Sequence, residues 1–456
     1  MHLYTVKIIK IKIKKINLKK ALRTSWSFYS KYIINDIKQI TSQQIGYMNT
    51  SFLLLMGFGL YFFGGLGDKI SAKKYLMFGI ILSALFVFMI PIFYFLGIYS
   101  PIYFIILQGL NGLFESTAQP GSMRLLGTWF SSQHRGILLG IWSGSRSFGD
   151  VQGLYLSHII INKFSLQWNY GLIIQSFICF LISYLIYKQI INYPEEIGLK
   201  IQQETTIQQE SLQLTHQKTH ISISQAFYTI PGLFWHTLTM MFLKALNYGI
   251  LFWYPKFLQD IGLKQQSSYI AIFCSVGVLL GGIISGWIGD KIDKKRGILI
   301  PPSLFLLVIC LYFFSVLNQQ NDSILHFYFY SFFIGFFLGG PYNVHHGPLV
   351  VDLGQHESLK NNKEAIGRVT GIIEGAACIS SAIVQIVIPY YGENNIFKLF
   401  IIISLGSIGC IWPVAVSDYK YFKNKYNNYS LNRKKIENLK NDVKIQNLQH
   451  QLIQKY

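Results

Sequence analysis

The sequence predicts an all-α protein that crosses a membrane many times and is built from two pseudo-symmetric bundles of six helices. Its 456 residues are 51% hydrophobic and only 13% charged, a composition too apolar for an ordinary soluble domain. Apolar runs of about 20 residues, the length that crosses the hydrocarbon core of a bilayer, recur along the chain. Short motifs also recur at matching positions in the two halves.

Eleven apolar runs are clear candidates for membrane spans, and we count them as spans two to twelve. The first half contains those at 47–66, 76–98, 101–125, 136–160 and 168–190. The second half contains those at 232–256, 267–290, 298–317, 325–351, 364–390 and 396–416.

The first span is the least regular part of the pattern. Residues 1–20 alternate Ile with Lys instead of forming an apolar run. Two explanations stay open: the start of the chain is incorrect or truncated, or the first span begins late and is short. The distribution of basic loops favours a first crossing of some kind, because it requires an even number of spans.

The net charge of +20 would suggest nucleic-acid binding in a soluble protein. Here the basic residues lie in the tails and in alternate loops, so we expect a lipid bilayer as the partner and no nucleic acid. The basic loops contain Lys69, Lys73, Lys74, Arg135, Lys291, Lys294, Lys295, Arg296, Lys360 and Lys363. The positive-inside rule places these loops, the linker and both termini in the cytoplasm.

A polar stretch at 200–223, rich in Gln, Thr, Ser and His, interrupts the apolar pattern near mid-chain. It predicts a linker between the two bundles. The expected segments are a basic N-terminal segment at 1–20, the first bundle at 21–190, a cytoplasmic linker at 191–229, the second bundle at 230–417 and a basic cytoplasmic tail at 418–456.

A G-x-x-G-D-K motif ends the second and the eighth span. The first copy contains Gly64, Asp68 and Lys69, and the second, 222 residues later, contains Gly286, Asp290 and Lys291. Small residues permit close helix approach, and the charges can pair across the mouth of the bundle, so these six residues are candidates for gating or structural roles. The alternative is a helix stop with solvated charges. Duplicated halves are typical of transporters.

Further motifs are spread between residues 45 and 415. They include Gln108-Gly109-Leu110-Asn111-Gly112, Ser116-Thr117, Trp129-Phe130, Arg135-Gly136, Gly140-Ile141-Trp142, Pro194-Glu195-Glu196-Ile197-Gly198-Leu199, Phe252-Trp253, Gly339-Gly340-Pro341 and Asp352-Leu353-Gly354. With the duplicated motif, they resemble the major facilitator superfamily and, within it, the eukaryotic sugar-phosphate exchangers of the organophosphate:phosphate antiporter branch. The resemblance implies two bundles that rock about a central site and exchange an organic phosphate for inorganic phosphate. It also implies an endoplasmic reticulum or other endomembrane location.

The resemblance implies candidate substrate ligands as well. Arg23 matches a phosphate-binding Arg of the family's first helix, although a cytoplasmic Arg in a basic tail is the alternative. Lys244 matches a Lys of the eukaryotic exchangers, with snorkelling to the interface as the alternative. Asn247 and Tyr248 follow it on the same span. Arg146 departs from the family pattern, and is either a third phosphate ligand or the partner of Glu115.

Two acidic residues, Glu115 and Glu374, are candidate charge partners; Glu374 could also carry a proton, although a structural ion pair is the favoured role. His345 and His346 are expected to be polar packing residues, and no metal site is expected because no carboxylate or Cys stands at ligand spacing.

The five cysteines lie inside predicted spans without C-x-x-C spacing, which favours buried free thiols. The sequence contains no nucleophile motif or phosphate loop, so we expect neither an enzyme nor a cofactor. Two alternatives to phosphate exchange stay open: a facilitator of another organic anion, and a non-transporting membrane subunit that binds an unknown protein partner.

Overall fold

The computed structural model describes residues 22–66, 70–118, 120–122, 135–189, 191, 196, 228–292, 295–317, 322–354 and 365–453. Within these ranges the chain forms helices and connections without a strand. The predicted all-α fold is confirmed.

The described ranges contain twelve long helical segments, numbered here in chain order. In the first half they are α1 (22–36), α2 (Ser42–Leu66), α3 (Ala72–Phe95), α4 (Pro101–Glu115), α5 (Arg135–His158, extended by a π-helical turn at Ile159–Lys163) and α6 (Trp168–Gln189). In the second half they are α7 (Leu233–Asp260), α8 (Ser267–Lys291), α9 (Ile300–Val316), α10 (Ile324–His346), α11 (365–391) and α12 (393–453). A short helix, Pro348–Gly354, follows α10.

The last two segments form one helical run, Ala365–Ile453, that is interrupted at Gly392. The backbone of Gly392 has φ 65° and ψ 177°, a conformation that glycine adopts without a Cβ clash. This break separates α11 from α12. Helix α12 continues through residue 418, the expected start of the basic tail, without interruption.

Each of the eleven predicted spans coincides with one of the helices α2 to α12. Eight helices in the described part of the chain are long and apolar enough to cross a membrane, which identifies an integral membrane protein. The other four are α1, α4, α5 and α7. Helices α1 and α4 have only 15 described residues each, and each of the four helices contains a buried charged residue: Arg23, Glu115, Asp150 and Lys244, respectively.

Helix α1 is the described part of the first span. It runs from 22 to 36 and is mostly buried, with Phe28 and Tyr29 fully inaccessible to solvent. Its 15 residues correspond to a length of about 22 Å. Residues 1–21 lie outside the described ranges, so both explanations for the start of the chain stay open.

Helices α8 and α10 approach each other closely at their glycines. A Cβ on Gly281 would lie 2.0 Å from the carbonyl oxygen of Phe336, and a Cβ on Gly335 would lie 1.9 Å from that of Cys274. Any side chain at either position would therefore separate the helices. Small residues spaced by one turn create the same close contact in other membrane helix pairs.

Candidate functional site

Arg23 lies near the start of α1 and is 5% exposed. Its Nη2 atom donates a hydrogen bond to Asp150 of α5 at 2.9 Å, and its Nη1 atom lies 3.8 Å from Glu115 of α4. Nη1 also donates to the hydroxyl of Tyr248 on α7, at 3.0 Å. One guanidinium thus joins three helices of the first half to a helix of the second.

The third nitrogen of Arg23, Nε, is buried and has no hydrogen-bond partner within the described part of the chain. A buried donor without a partner is costly, typically by about 1–3 kcal/mol. The guanidinium group carries donors in a planar fork that suits carboxylates and phosphates. Arg23 therefore has a donor to offer an additional anion without giving up its present contacts.

Lys244 lies in the middle of α7 and is 2% exposed. Its Nζ atom contacts the Glu374 carboxylate at 2.6 Å, the Glu374 carbonyl oxygen at 3.3 Å and the Cys378 sulfur at 3.1 Å. The other carboxylate oxygen of Glu374 contacts Nδ1 of His346 on α10. Lys244 is thus held inside the second half and does not reach the bilayer interface.

The two cations occupy corresponding positions in the two halves. Lys244 follows Arg23 by 221 residues, the same separation as that between Pro120 and Pro341. Tyr248, one helical turn after Lys244, reaches across to Arg23. Helix α7 therefore carries Lys244 and also contributes a hydroxyl to the Arg23 site at the boundary between the halves.

A cavity opens at the same boundary. Its lining includes Thr24 and Asp150 from the first half and Asn247, Tyr254 and Ser275 from the second. Its described lining residues include neither Arg23 nor Lys244, but Asp150 connects the cavity to Arg23. Polar atoms of both halves thus face one cavity, and its anionic wall pairs with the Arg23 cation.

The halves make further contacts toward the end of the bundle that carries the α1–α2 and α7–α8 connections. Lys31 of α1 and Lys256 of α7 both pair with the buried carboxylate of Asp260. Gln385 of α11 accepts hydrogen bonds from Trp253 at 2.7 Å and from Asn49 of α2 at 3.4 Å. These contacts hold the two halves together at that end.

The duplicated motif lies at the opposite end of the bundle. Asp290 pairs with Arg296 at 2.7 Å, and Arg296 also contacts Asp352 at 3.2 Å, so the network lies within the second half. The Lys291 ammonium lies 3.7 Å from the centre of the Trp287 ring. Asp290 thus has its described partner within the second half, and pairing across the mouth of the bundle stays a prediction, because Asp68 and Lys69 lie outside the described residues.

The two glycines of the second copy differ in their surroundings: a Cβ on Gly289 would lie 2.8 Å from Nη1 of Arg296, whereas Gly286 has no such neighbour among the described residues. No described atom lies within 4 Å of a Cβ placed on Gly286, so nothing packs against that position here. The close approaches of α8 occur one to two turns earlier, as at Gly281. In the first copy, the backbone of Gly64 lies in α2, whereas Asp68 and Lys69 lie outside the described residues.

Other predicted residues are placed as follows. The backbone of Arg146 lies in α5, but its side chain is outside the described part of the chain, so its pairing with Glu115 stays a hypothesis. The described partner of Glu115 is Arg23. His345 contacts His236 at 3.3 Å and the Pro341 carbonyl oxygen at 3.0 Å.

All five cysteines are free thiols. Cys179, Cys274 and Cys378 are buried, whereas Cys310 and Cys410 are only partly so, because they lie on the outer faces of α9 and α12.

The sequence analysis missed Asp150 and gave His346 only a packing role. Asp150 could have been found, because it is a carboxylate within a predicted span and therefore meets the rule that selected Lys244. His346 and Cys378 have no such signal. Their contacts with Glu374 and Lys244 depend on how α7, α10 and α11 pack together.

Comparison with known proteins agrees with this architecture. The sequence profile of the Major Facilitator Superfamily matches residues 21–385. Sugar phosphate exchanger 3 of Mus musculus is 29% identical over 420 residues, which cover 85% of this chain and 83% of that protein. Glucose-6-phosphate exchanger SLC37A2 of Mus musculus is 25% identical over 424 residues, which cover 85% and 81%.

A solved structure supports the fold. The bacterial homologue of the human lysosomal transporter Spinster, in an inward-facing and unoccupied conformation, superimposes with a TM-score of 0.61. The match covers 92% of this chain and 96% of that chain at 11% identity, which shows a common fold alone. With twelve helical segments in two repeated halves and a family profile over most of its length, the chain belongs to the Major Facilitator Superfamily.

Proposed function

We propose that the protein exchanges a phosphorylated sugar or a related organic phosphate for inorganic phosphate. The observation that carries this proposal is the pair of buried cations, Arg23 and Lys244, at corresponding positions in the two halves. A phosphate monoester carries close to two negative charges near neutral pH. It leaves water only where cations and hydrogen-bond donors replace its hydration.

Arg23 and Lys244 supply complementary donors. The planar guanidinium binds two oxygens at once, and the ammonium is a compact point charge. Tyr248 supplies a hydroxyl between them, Asn247 supplies an amide at the cavity wall, and Arg146 is proposed as a third cationic ligand. The names of the two similar mouse proteins, a sugar phosphate exchanger and a glucose-6-phosphate exchanger, support the same substrate class.

Transport follows from alternating access of this site between the two bundles. The contacts of Lys31 and Lys256 with Asp260 keep one end closed in the described conformation. Reaching the other side requires these contacts to part while the opposite end closes. In this scheme the motif residues Gly64, Asp68, Lys69, Gly286, Asp290 and Lys291 stabilise or gate the second mouth.

The proposal extends to topology and location. Both termini and the 191–229 linker face the cytoplasm. The segments 1–20, 21–190, 191–229, 230–417 and 418–456 are the functional units of the chain. The membrane is that of the endoplasmic reticulum or another endomembrane. The protein moves its substrate without chemical change. A protease-protection experiment on sealed vesicles tests the topology, and tails on opposite faces would contradict the model of twelve crossings.

Exchange itself is tested in proteoliposomes that contain the purified full chain and internal phosphate. Uptake of radiolabelled phosphate should be rapid, should fall sharply without internal phosphate, and should be inhibited by glucose-6-phosphate or glycerol-3-phosphate but not by free glucose. In the same assay Lys244→Gln tests the buried lysine of the site. Lys398→Gln, which removes an exposed lysine of the same half, is its matched control. Uptake independent of internal phosphate would instead indicate a facilitator of another organic anion, and complete absence of solute movement would refute the proposal.

A further inference from the structure

The described charges around the two cations do not favour a dianion. Arg23 and Lys244 supply two positive charges, whereas Glu115, Asp150 and Glu374 supply three negative ones. Adding the formal charge of Arg146 only brings the sum to zero. A phosphate dianion would then leave two or three uncompensated negative charges in a low-dielectric site, where uncompensated charge is expensive.

The two cations differ in their capacity to take up this anion. An ammonium group has three N–H donors, and Lys244 makes three contacts: with both the carboxylate and the carbonyl oxygen of Glu374, and with Cys378. A phosphate oxygen must therefore displace a contact of Lys244. Arg23, in contrast, keeps a spare Nε donor. Phosphate can be added at Arg23 but must compete with Glu374 at Lys244.

Displacement would leave Glu374 without its cation in a position that solvent does not reach. The groups that face it are Lys244 from α7, His346 from α10 and Cys378 from its own helix. Tyr342 of α10 stacks on His346 with ring centres 6.0 Å apart. Besides Lys244, His346 contacts the Glu374 carboxylate directly, and its imidazole is a group that can carry a proton.

We infer that the hydrogen-bonded pair of Glu374 and His346 is a proton-binding site that takes up one proton from solution when phosphate displaces Glu374 from Lys244. The proton returns to solution when phosphate leaves and Lys244 pairs with Glu374 again. Each phosphate therefore crosses the membrane together with a proton, which lowers the charge that the moving site carries. This inference rests on the proposed exchange of phosphates.

Calorimetric titration of the purified full chain with inorganic phosphate tests the proton count. At about pH 8 the dianion predominates, and titrations in buffers of different ionisation enthalpy give the number of protons bound per phosphate. We expect about one proton for the unmodified protein and close to none for Glu374→Gln. Asp290→Asn, which removes a carboxylate outside the site, should keep the value of the unmodified protein.

The outcomes separate the two proposals. Phosphate binding by the unmodified protein without proton uptake would overturn the proton site and leave the exchange proposal intact. Equal uptake by Glu374→Gln and the unmodified protein would place the proton elsewhere and also overturn it. No phosphate binding by the unmodified, monodisperse protein would remove the proposed function and this inference with it. If Glu374→Gln does not fold, His346→Gln provides the second variant, with the same expected loss of uptake.

Discussion

The Arg23 site and the Lys244 site occupy equivalent places in the two halves but are built differently. Arg23 binds two carboxylates of its own half and a tyrosine of the other half, and it keeps one donor without a partner. Lys244 is fully occupied by Glu374 and Cys378 within its own half. The duplication thus conserved the position of a buried cation while the two halves acquired different partners. One cation is suited to accept an anion, and the other to exchange one anion for another.

The largest effect is expected on stability, from Arg23→Gln. This substitution leaves Asp150 and Glu115 buried without their cation, and breaking one side of a buried ion pair typically costs about 3–5 kcal/mol. Lys244→Gln should cost less, because Glu374 keeps His346. The midpoint of thermal unfolding in detergent, followed by tryptophan fluorescence, measures both. The double variant with Arg23→Gln and Asp150→Asn should recover part of the loss but not exchange. Equal losses for the two single variants would contradict the comparison.

Lys244→Gln should have the next largest effect, on substrate affinity. Losing a charge-assisted hydrogen bond to phosphate costs roughly 1.5–3 kcal/mol, about tenfold or more in affinity, for both inorganic phosphate and the organic ester. Lys244→Arg should retain part of the binding, because the charge survives in a different shape. Phosphate homoexchange and its inhibition by the ester measure both affinities. Intact exchange by a correctly inserted Lys244→Gln protein would make Lys244 a structural residue.

Tyr248→Phe should have an intermediate effect that is confined to the Arg23 site. It removes the hydroxyl that bridges the halves at 3.0 Å but preserves the ring. We expect a loss of about 1 kcal/mol, roughly fivefold in phosphate affinity, because the phosphate loses the neutral hydroxyl that Tyr248 is proposed to supply. Tyr29→Phe removes a buried hydroxyl that contacts Gln175 away from the site, and it serves as the control. A larger loss in the control than in Tyr248→Phe would show that the phenol is not part of the site.

Asp290→Asn should have the smallest effect on affinity and act mainly on rate. Its carboxylate is half exposed and pairs with Arg296, and exposed ion pairs contribute at most about 1 kcal/mol. Exchange should slow while the concentration of phosphate that gives half-maximal exchange changes less than about twofold. Asp68→Asn in the other half should behave in the same way. A defect confined to affinity in either variant would contradict the gating role.

Sequence reasoning predicted the helices well and the contacts of the charges only in part. Apolar runs identify α2 to α12 because crossing a bilayer imposes a length and a composition on each helix. The pairing of Lys244 with Glu374 was within reach, because both are charged residues inside spans. The pairing of Arg23 with Asp150 was not predicted, although Asp150 is likewise a carboxylate inside a span, because the identity of the carboxylates that face Arg23 depends on how α1 packs against α4 and α5. For a related reason, the contact of Asp290 with Arg296 was not predicted. A helix-end motif does not reveal how the following loop folds back.

The separation of each cation from its carboxylate has a consequence for biogenesis. During synthesis Arg23 precedes Asp150 by 127 residues, and Lys244 precedes Glu374 by 130. Each cation therefore enters the bilayer on a weakly apolar helix long before the ribosome has produced its counter-ion. An isolated charge at the bilayer centre costs on the order of 3 kcal/mol on insertion scales. We therefore expect α1 and α7 to become stable in the bilayer only after α4, α5 and α11 have brought Glu115, Asp150 and Glu374 to them.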